Sequence, residues 1–573
     1  MDVRTLPLVR ELPGLRAPAP VVLEVDLTGG LVTEPPSDPI SALRQRNTPS
    51  LVAVVAALRE AVEDPRVVGV VLLGGGSVSA AQADELGDAV DALREAGTST
   101  YAFASAYGEL GAGTVPYALA SRCAEVWLQP SGQVGLTGVS GAITLVRGVF
   151  DQVGVEPQFG QRREYKTAAD LFSAREVSDA NREMTTRLAT SAMDHLVTVI
   201  CDRRGIDQDA LRGLVAQAPL SARHALEHGL VDRLGYRDEL DAHLRTTHGE
   251  IELLYAHRYA RRHGERAGVG RLVRRGGPQV AVVAVHGAIV EGRGRQGGPG
   301  PGGRRAGGDT VVAALSSAGE SDRVKAVVLH IDSPGGSYVA SDAIRRAVLQ
   351  LRATGRPVVA SMGDVAASGG YYAAMPADRV FALPTTITGS IGVLAGKFVV
   401  AELAQKLGVV REVIGTGPNA TMFAPDVGFT EEQRARLEQW LDEVYDDFVA
   451  NAAADRGMAK EVLEPLARGR VWTGADALAH GLVDEHGGRT AAVDHACRMA
   501  GLARDDADVV PWPRLGVVER IKPAESSHAP TAAVAARFPV LPGANVETWL
   551  TAFGDALGLP TGILSLPGPI RLR

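Results

Sequence analysis

The sequence predicts an α/β protein made of two tandem copies of one domain, each built from parallel βαβ units. A chain of 573 residues is too long for a single hydrophobic core. Segments of its first half recur in the second about 252 to 258 residues later, as in "ALEHGLVD" (225–232) and "ALAHGLVD" (477–484). Each half also alternates apolar β-branched runs with helical patterns, the order typical of parallel sheets.

The repeat sets the expected domain boundaries. We predict a first copy over residues 1–245, a connecting segment over 246–278, a second copy over 279–511 and a C-terminal tail over 512–573. Within the tail, residues 545–559 have the pattern of a short amphipathic helix. Such a helix packs on the body of the protein, on a partner subunit or on a membrane surface.

Two strands open the second copy. "QVAVVAVHGAIV" (279–290) and "VKAVVLHI" (324–331) are short apolar runs rich in Val and Ile, which predicts buried strands. The stretch between them, residues 291–310, is so rich in Gly that we predict a mobile loop.

A helix and a third strand follow. Ser341 or Asp342 can cap the start of the helix, and Gly355 can end it. "RPVVASM" (356–362) is then the next strand. This order of strand, helix and strand predicts a parallel βαβ unit.

The composition argues against several classes of protein. A net charge of -8 without a basic stripe is not typical of nucleic-acid binding. Three widely spaced cysteines without a CxxC pair indicate neither a zinc site nor a disulfide framework, and we expect no metal or cofactor. The N-terminus lacks the apolar core of a signal peptide, and no run of 18 apolar residues could span a membrane. We therefore expect a cytoplasmic protein.

Two glycine-rich turns in the second copy carry the candidate chemistry. "HIDSPGGS" (330–337) and "AASGG" (366–370) each follow a predicted strand. Such turns expose backbone N–H groups at the carboxyl ends of strands, where open α/β sheets bind ligands. Two N–H groups there can stabilise an oxyanion. Ser368, in the second turn, is then placed to attack a carbonyl carbon.

The first copy provides an internal comparison. Around the position of Ser368 it reads "GELGAGTVPYALA" (108–120), so that Thr114 falls near the serine and Val115 and Pro116 replace the two glycines. Proline has no N–H to donate. The second copy is therefore equipped for catalysis and the first is degenerate.

Three motifs in this order closely resemble the signal peptide peptidase A family (protease IV) in its long, two-copy form. They are "DSPGGS" (332–337), "AASGGYYAA" (366–374) and "TGSIGV" (388–393), on a duplicated chain whose serine motif has no histidine. The resemblance implies the Clp protease/crotonase-like fold and a serine peptidase with a Ser–Lys dyad. It implies peptide substrates such as remnant signal peptides, and a homotetramer. The nucleophile would be Ser368, and the base would be Lys166 of the first copy.

The same resemblance implies the supporting residues. Ser390 would orient the lysine amine, and the N–H groups of Gly336 and Gly369 would form the oxyanion hole, by analogy with related folds. Many long members carry an N-terminal membrane anchor that this sequence does not show. Soluble peptides, or peripheral access to the cytoplasmic membrane through the C-terminal tail, are both open.

The residues themselves give independent support for Lys166. A general base must lose its proton, which arginine does not do in proteins. Only six of the 59 basic residues are lysine, so a lysine retained in "QRREYKTAAD" is informative. The corresponding stretch of the second copy, residues 415–426, contains none. Lys397 is the rival lysine and His330 the rival histidine.

Two other functions remain open at this point. The Clp protease/crotonase-like fold also hosts acyl-CoA hydratases and isomerases, which place a carboxylate at the reacting centre; Asp364 is the only acid near the serine motif. A catalytically inactive scaffold that binds peptides is the other alternative. Covalent labelling of Ser368 would separate these from a peptidase.

Overall fold

A computed structural model of the chain describes residues 19–33, 48–76, 78–259, 277–294, 304–513 and 564–565. The predicted helix over 545–559 lies outside these residues, as do most of the tail and the middle of the predicted loop over 291–310. Each half of the described chain contains one large sheet flanked by helices.

The strands of the first half form one parallel sheet and short additional pairs. Six of them line up in the order β8, β4, β3, β2, β1, β9, and all neighbours are parallel. β9 lies in the predicted connecting segment, so the first sheet continues past residue 245. The strands are β1 Val21–Asp26, β2 Val67–Leu73, β3 Ser99–Ala104, β4 Glu125–Leu128, β5 Gln133–Val134, β6 Glu156–Gln161, β7 Leu220–Ser221, β8 Arg233–Leu234 and β9 Glu252–Tyr255.

The helices of the first half cover this sheet. Their buried faces and the sheet share one core of aliphatic side chains, among them Leu58, Leu86 and Val126. The helices are α1 Leu51–Glu63, α2 Ala80–Glu95, α3 Thr114–Ala120, α4 Arg147–Val153, α5 Asp170–Ser173, α6 Asp179–Arg204, α7 Gln208–Val215, α8 Ala222–Glu227 and α9 Arg237–His248.

The second half has a larger sheet. β20, β16, β15, β13, β10 and β21 follow one another as parallel neighbours, and β17 pairs with both β15 and the antiparallel β19. The strands are β10 Gln279–His286, β11 Ala288–Val290, β12 Arg305–Gly307, β13 Val324–Ser333, β14 Gly335–Gly336, β15 Val358–Ala367, β16 Arg379–Ala382, β17 Ile387–Gly389, β18 Leu394–Val399, β19 Val471–Thr473, β20 Glu485–His486, β21 Asp508–Trp512 and β22 Leu564–Ser565.

The helices of the second half pack on both faces of this sheet. α11 and α12 lie in the larger core, and α17 covers the opposite face. The helices are α10 Gly308–Glu320, α11 Tyr338–Ala353, α12 Gly369–Ala374, α13 Ala401–Lys406, α14 Glu431–Arg456, α15 Lys460–Leu463, α16 Gly474–Ala479 and α17 Arg489–Met499.

Both sheets share one strand order. β8, β4, β3, β2, β1 and β9 of the first half correspond in sequence to β20, β16, β15, β13, β10 and β21 of the second. A buried tyrosine marks the same place in each: Tyr117 donates to the carbonyl of Leu230 and Tyr371 to that of Leu482. Two tandem α/β domains with parallel βαβ units are thus confirmed as the fold class.

Several predicted elements differ at their ends. The strand over 279–290 is broken at Gly287, whose φ of 76° bends the chain into β11. The helix after β13 begins at Tyr338 and is capped by Ser337, whose side chain accepts from the N–H of Ala340, so the predicted start at Ser341 or Asp342 is wrong. The end of the predicted mobile loop is ordered as β12 and the first turn of α10.

The two copies are joined by a pair of strands and an aromatic cluster. β6 of the first copy pairs antiparallel with β18 of the second over six residues. Beside this pair, four phenylalanines pack with ring centroids 5.1 to 6.1 Å apart. Burying each such ring contributes on the order of 2–3 kcal/mol. The cluster consists of Phe150, Phe159, Phe172 and Phe398.

The long helix α6 also crosses between the copies. Its C-terminal half lies in the core of the first copy, while Met184 and Leu188 near its start pack against Ala367 and Ile387 of the second. These contacts press the first copy against the strand end that precedes Ser368.

Candidate active site

Ser368 lies at the turn between β15 and α12. Its backbone has φ 54° and ψ −115°, a conformation that non-glycine residues rarely adopt. The N–H of Ser368 donates to the carbonyl of Gly389 at 2.7 Å, and its carbonyl accepts from the N–H of Tyr372 at 2.8 Å. Such strain persists only where the surroundings fix it, and it is concentrated at functional sites.

Lys166 enters this turn from the first copy. It lies in the loop that follows β6, and neither its side chain nor Ser368 has any solvent-exposed surface. Its Nζ lies 2.8 Å from Ser368 Oγ, 3.0 Å from Ser390 Oγ and 3.1 Å from the Ser390 carbonyl oxygen. Three residues chosen from the sequence are therefore in direct contact.

The electrostatics of the lysine follow from its burial. Burial lowers the pKa of the Lys166 amine well below its ordinary range, and no carboxylate of the described residues counters that effect. A neutral amine has two N–H donors and one lone pair. The two N–H groups can donate to the hydroxyl and carbonyl oxygens of Ser390. The lone pair can then accept from the hydroxyl of Ser368.

The two predicted oxyanion donors lie side by side. An ideal Cβ on Gly369 would lie 3.1 Å from the amide nitrogen of Gly336 and 2.6 Å from Ser341 Oγ. A side chain at 369 therefore has no room, and the backbones of the two turns approach closely. Gly336 has a φ of 155°, which favours glycine.

A glycine that the sequence analysis missed holds the lysine. Gly469 has a φ of 80°, and an ideal Cβ there would lie 2.4 to 2.6 Å from backbone and Cβ atoms of Lys166. The carbonyl of its neighbour Arg468 accepts from the N–H of Tyr165 at 3.2 Å. The repeat could have revealed this glycine, because the first copy has Gln217 at the corresponding position and the second copy alone has a glycine there.

The rival bases have other partners. Lys397 donates to the carbonyls of Met422 at 2.7 Å and Ala424 at 3.1 Å, and its Nζ lies 4.3 Å from the centre of the Phe429 ring. His330 is buried, with its Nδ1 3.3 Å from Ser361 Oγ. Both arrangements are those of structural side chains.

Asp364 faces the first copy. Its carboxylate accepts a hydrogen bond of 2.5 Å from Ser79 Oγ. Burial and the neighbouring Asp332 raise the pKa of Asp364 to about 6. This acid contributes to the contact between the copies.

In the corresponding turn of the first copy, the hydroxyl group is hydrogen-bonded within that copy. Thr114 is buried, and its Oγ1 hydrogen-bonds both the carbonyl and the N–H of Gly138 at 3.0 Å. Val115 and Pro116 lie in the first turn of α3, where α12 has its two glycines. The first copy thus supplies the lysine, and its own turn has no free nucleophile.

None of the helices in the described part of the chain is long and apolar enough to cross a membrane. Within those same residues, no group of three or more His, Cys, Asp or Glu side chains could hold a metal ion.

The chain matches one protein family over more than half of its length. The model of Peptidase family S49 matches residues 71–250 and 350–503. The chain is 30% identical over 471 residues to "Serine protease SPPA, chloroplastic" of Arabidopsis thaliana, which covers 82% of this chain and 67% of that one. It is 30% identical over 467 residues to "Protease 4" of Salmonella typhi, covering 79% and 72%.

A solved structure was also found. It is the 1510-N membrane-bound stomatin-specific protease, as a lysine-to-alanine mutant in complex with a substrate peptide. The match has 15% identity and a TM-score of 0.27, and it covers 43% of this chain and 96% of that chain.

Proposed function

Because the chain belongs to peptidase family S49 and is a serine peptidase, we propose that it cleaves peptides with a dyad of Ser368 and Lys166. Ser368 is the nucleophile and Lys166 the general base. The observation that carries the proposal is the 2.8 Å contact between Lys166 Nζ and Ser368 Oγ, two groups on side chains that are fully buried.

The contact supports a defined proton path. The neutral amine accepts the proton of the Ser368 hydroxyl while Oγ attacks the carbonyl carbon of the peptide bond. The carbonyl oxygen becomes an oxyanion, which the N–H groups of Gly336 and Gly369 stabilise. Lys166 then gives the proton to the leaving amine, and an acyl-enzyme remains. Water attacks this ester, loses its proton to Lys166, and the serine regains it as the acid product leaves.

Ser390 is the positioning residue of this proposal. Its hydroxyl and carbonyl oxygens accept from the two N–H groups of the amine, which leaves the lone pair directed at Ser368. Ser390 itself has a φ of 53°. As at Ser368, a strained backbone supports a functional role.

The edge beside the oxyanion turn supports peptides as substrates. Gly335 and Gly336 pair antiparallel with Leu564 and Ser565 of the chain's own tail. An edge that accepts one extended segment can accept a substrate in the same way, through main-chain hydrogen bonds. We propose remnant signal peptides or other short hydrophobic peptides as the physiological substrates.

The proposal includes where and in what form the protein acts. A homotetramer is carried over from the family resemblance. A place in the cytoplasm or at the periphery of the cytoplasmic membrane is carried over from the sequence-based expectations. Fractionation of cells and the mass of the purified protein test them.

Covalent labelling tests the proposed nucleophile. We expect a fluorophosphonate probe to label the chain at Ser368 and the Ser368→Ala variant to lose both labelling and peptide hydrolysis while its melting temperature stays near that of the parent. Ser361→Ala is the matched control, since Ser361 is an equally buried serine on β15, the strand that precedes Ser368. Labelling that survives in Ser368→Ala would refute the assignment. A folded parent that takes up no label would favour the scaffold or the hydratase.

A further inference from the structure

The first copy has a cleft at the carboxyl ends of its central strands. It encloses about 540 Å³, and its walls include Thr28 after β1, Gly75 after β2, Ser105 after β3, and Glu109 and Ala112 in the loop that follows. Open α/β sheets bind ligands at this end of their strands, in cavities that typically measure about 300–1,000 Å³. We call this cavity the first-copy cleft.

The first-copy cleft occupies the place that the proposed active site has in the second copy. The residue before the cap of α2 is Val78, and the residue before the cap of α11 is Gly336. Val115 and Pro116, which replace the two glycines of α12, also line the cleft. Apolar side chains therefore stand where the second copy has glycines, while the cleft itself is kept.

The side chains of the walls favour an apolar ligand. Val78 and Val115 contribute apolar surface, and Glu109 is the only charged side chain among the described lining residues. None of those residues is Lys or Arg, the side chains that typically hold phosphate groups. Nucleotides and coenzyme A therefore fit these walls poorly. An apolar segment that carries a lysine or arginine near Glu109 fits them well.

Leu110 marks the edge of the cleft. It lies between two lining residues, its side chain is 100% exposed, and its backbone has a φ of 54°. Leucine rarely adopts this left-handed conformation, and such strain is concentrated at functional sites. An apolar ligand that enters the cleft can cover this side chain.

The glycines of the cleft favour an extended peptide as that ligand. Much of the wall is main chain, because the lining residues include Gly74–Gly76, Gly108 and Gly111. In the second copy, the turn that corresponds to the one after β2 pairs its main chain with Leu564 and Ser565. Main-chain pairing with an extended segment is a recurring mode of peptide recognition.

The cleft also lies within reach of Ser368. Val78 precedes Ser79, whose Oγ donates to the carboxylate of Asp364 at 2.5 Å. Asp364 lies on β15, four residues before Ser368. At about 3.3 Å per extended residue, this path limits the distance from Val78 to Ser368 to about 25 Å. An extended peptide spans that distance with about eight residues.

We propose that the first-copy cleft is a second peptide-binding site, which binds substrate without cleaving it. It holds an apolar stretch of an extended peptide, preferably one with a lysine or arginine, while another part of the same peptide reaches Ser368. No cleavage occurs in the cleft, because the hydroxyl of Thr114 is hydrogen-bonded to Gly138. The inference rests on the proposed peptidase function for the step at Ser368, but binding in the cleft can be tested separately.

Photo-cross-linking of the full chain tests binding in the cleft. The probe is a peptide of about 12 residues, longer than the span to Ser368. It consists of leucine and alanine with lysines at one end and a benzoylphenylalanine in the middle. The chain carries Ser368→Ala so that the probe stays intact. We expect mass spectrometry to find cross-links at residues 105–116, and an excess of the peptide without benzoylphenylalanine to suppress them.

Two further substitutions, each added to this chain, alter the cleft at exposed positions. Ala112→Phe fills it, and Leu110→Asn removes the apolar side chain while asparagine tolerates the left-handed backbone. Both residues are exposed, so the melting temperature should stay near that of the parent. We expect each substitution to weaken cross-linking at residues 105–116 by about tenfold, the scale of one apolar side chain removed from water. Ala216→Phe, at an exposed alanine outside the cleft, is the matched control.

Kinetics of the chain with Ser368 intact connect the cleft to hydrolysis. A peptide of about four residues is too short to reach from Ser368 to the cleft. We expect Ala112→Phe to raise the KM of the long peptide about tenfold relative to that of the short one. A rise in KM without a fall in kcat indicates lost binding rather than lost chemistry.

Three results would overturn the inference. They are cross-links confined to the second copy, cross-links that neither substitution weakens, and a ratio of the two KM values equal to the parent's. Fluorophosphonate labelling separates these from a failure of the peptidase proposal. Labelling of Ser368 without cross-links at residues 105–116 refutes the cleft alone. Cross-links there, in a chain whose parent takes up no label, refute the peptidase alone.

Discussion

Replacing Lys166 by methionine should abolish peptide hydrolysis and yet stabilise the folded protein at neutral pH. Methionine has a similar length and fits a fully buried site, but it cannot accept a proton. Loss of a general base lowers the rate by about 10²–10⁴-fold, or roughly 3–5 kcal/mol of transition-state stabilisation.

The effect on stability comes from two opposing terms. Holding a lysine neutral at pH 7 costs up to about 5 kcal/mol, since each unit below its free pKa of about 10.4 is worth about 1.4 kcal/mol. Methionine removes that cost. It also removes three hydrogen bonds around Nζ, each worth about 1 kcal/mol. We expect the first term to exceed the second at pH 7, so the variant should melt at a higher temperature there.

The sign should reverse in alkaline solution. Burial lowers the pKa of Lys166, so the unfolded chain binds the proton more tightly than the folded protein does. The cost therefore shrinks as the pH rises toward 10, and only the lost hydrogen bonds remain. We expect the variant to be more stable than the parent at pH 7 and less stable near pH 10.

Rate and melting temperature are measured on the same preparations. The parent's kcat/KM should rise with pH along one basic limb whose midpoint lies well below the pKa of free lysine, and Lys166→Arg should be nearly as inactive as Lys166→Met. Lys397→Arg is the matched control and should keep its activity, because Lys397 contacts only carbonyls and a ring away from Ser368. A Lys166→Arg enzyme within about tenfold of the parent, about 1.4 kcal/mol, would refute the role of base. A Lys166→Met variant that melts lower at pH 7 would refute the neutral amine.

Three further predictions concern the surroundings of the dyad. Ser390→Ala should lower kcat/KM by about tenfold, the worth of one hydrogen bond, with KM unchanged; an equal rise in KM would point to substrate binding instead. Gly369→Ala should lower kcat by about 10²–10³-fold, because its Cβ would lie 2.6 Å from Ser341 Oγ; steady-state kinetics with the melting temperature as control decides. Asp364→Asn should stabilise the protein at pH 8 by on the order of 3 kcal/mol, because folding raises the pKa of Asp364 to about 6 and each unit is worth about 1.4 kcal/mol. Between about pH 4 and pH 6 the folded parent binds a proton at Asp364 that the unfolded chain does not, and this stabilises the parent. The gain of the variant should therefore fade in thermal melts as the pH drops through 6 and vanish by about pH 4. A gain that stays constant at all pH values would contradict the prediction.

The fold could be predicted from the sequence because the chain is duplicated. Two halves with the same strands predicted two sheets, and both sheets have the same strand order. The helix start was missed because Ser337 and Ser341 lie four residues apart and both are good caps. The serine that caps the helix is the one that directly follows β14. The position of β14 is set by its pairing with other strands, which the local sequence does not specify.

The candidate residues of the site could be chosen from the sequence, but how they are held could not. A retained lysine, and a serine turn whose two glycines the first copy lacks, led to Lys166 and Ser368, which the structure brings into contact. Gly469 lies 303 residues from Lys166 and acts by leaving room for its backbone. Val155 and Val409 show what the sequence could not predict. They occupy the same place in the repeat, yet Val155 is buried and Val409 is half exposed. Burial there is decided by the partner strand, which a local pattern does not specify.

The proposed dyad is divided between the two copies, which would make the join part of the catalytic chemistry. The strained backbone of Ser368 is held within the second copy, whereas Lys166, in the proposed mechanism, acts as a base only when the join excludes water from its amine. A change that loosens the join, such as replacing Phe159 or Phe398, would hydrate Lys166 and return its pKa toward that of a free lysine. The basic limb of the rate profile should then move to higher pH before activity is lost altogether. The position of that limb therefore reports how tightly the two copies are closed, even for substitutions that touch neither Ser368 nor Lys166.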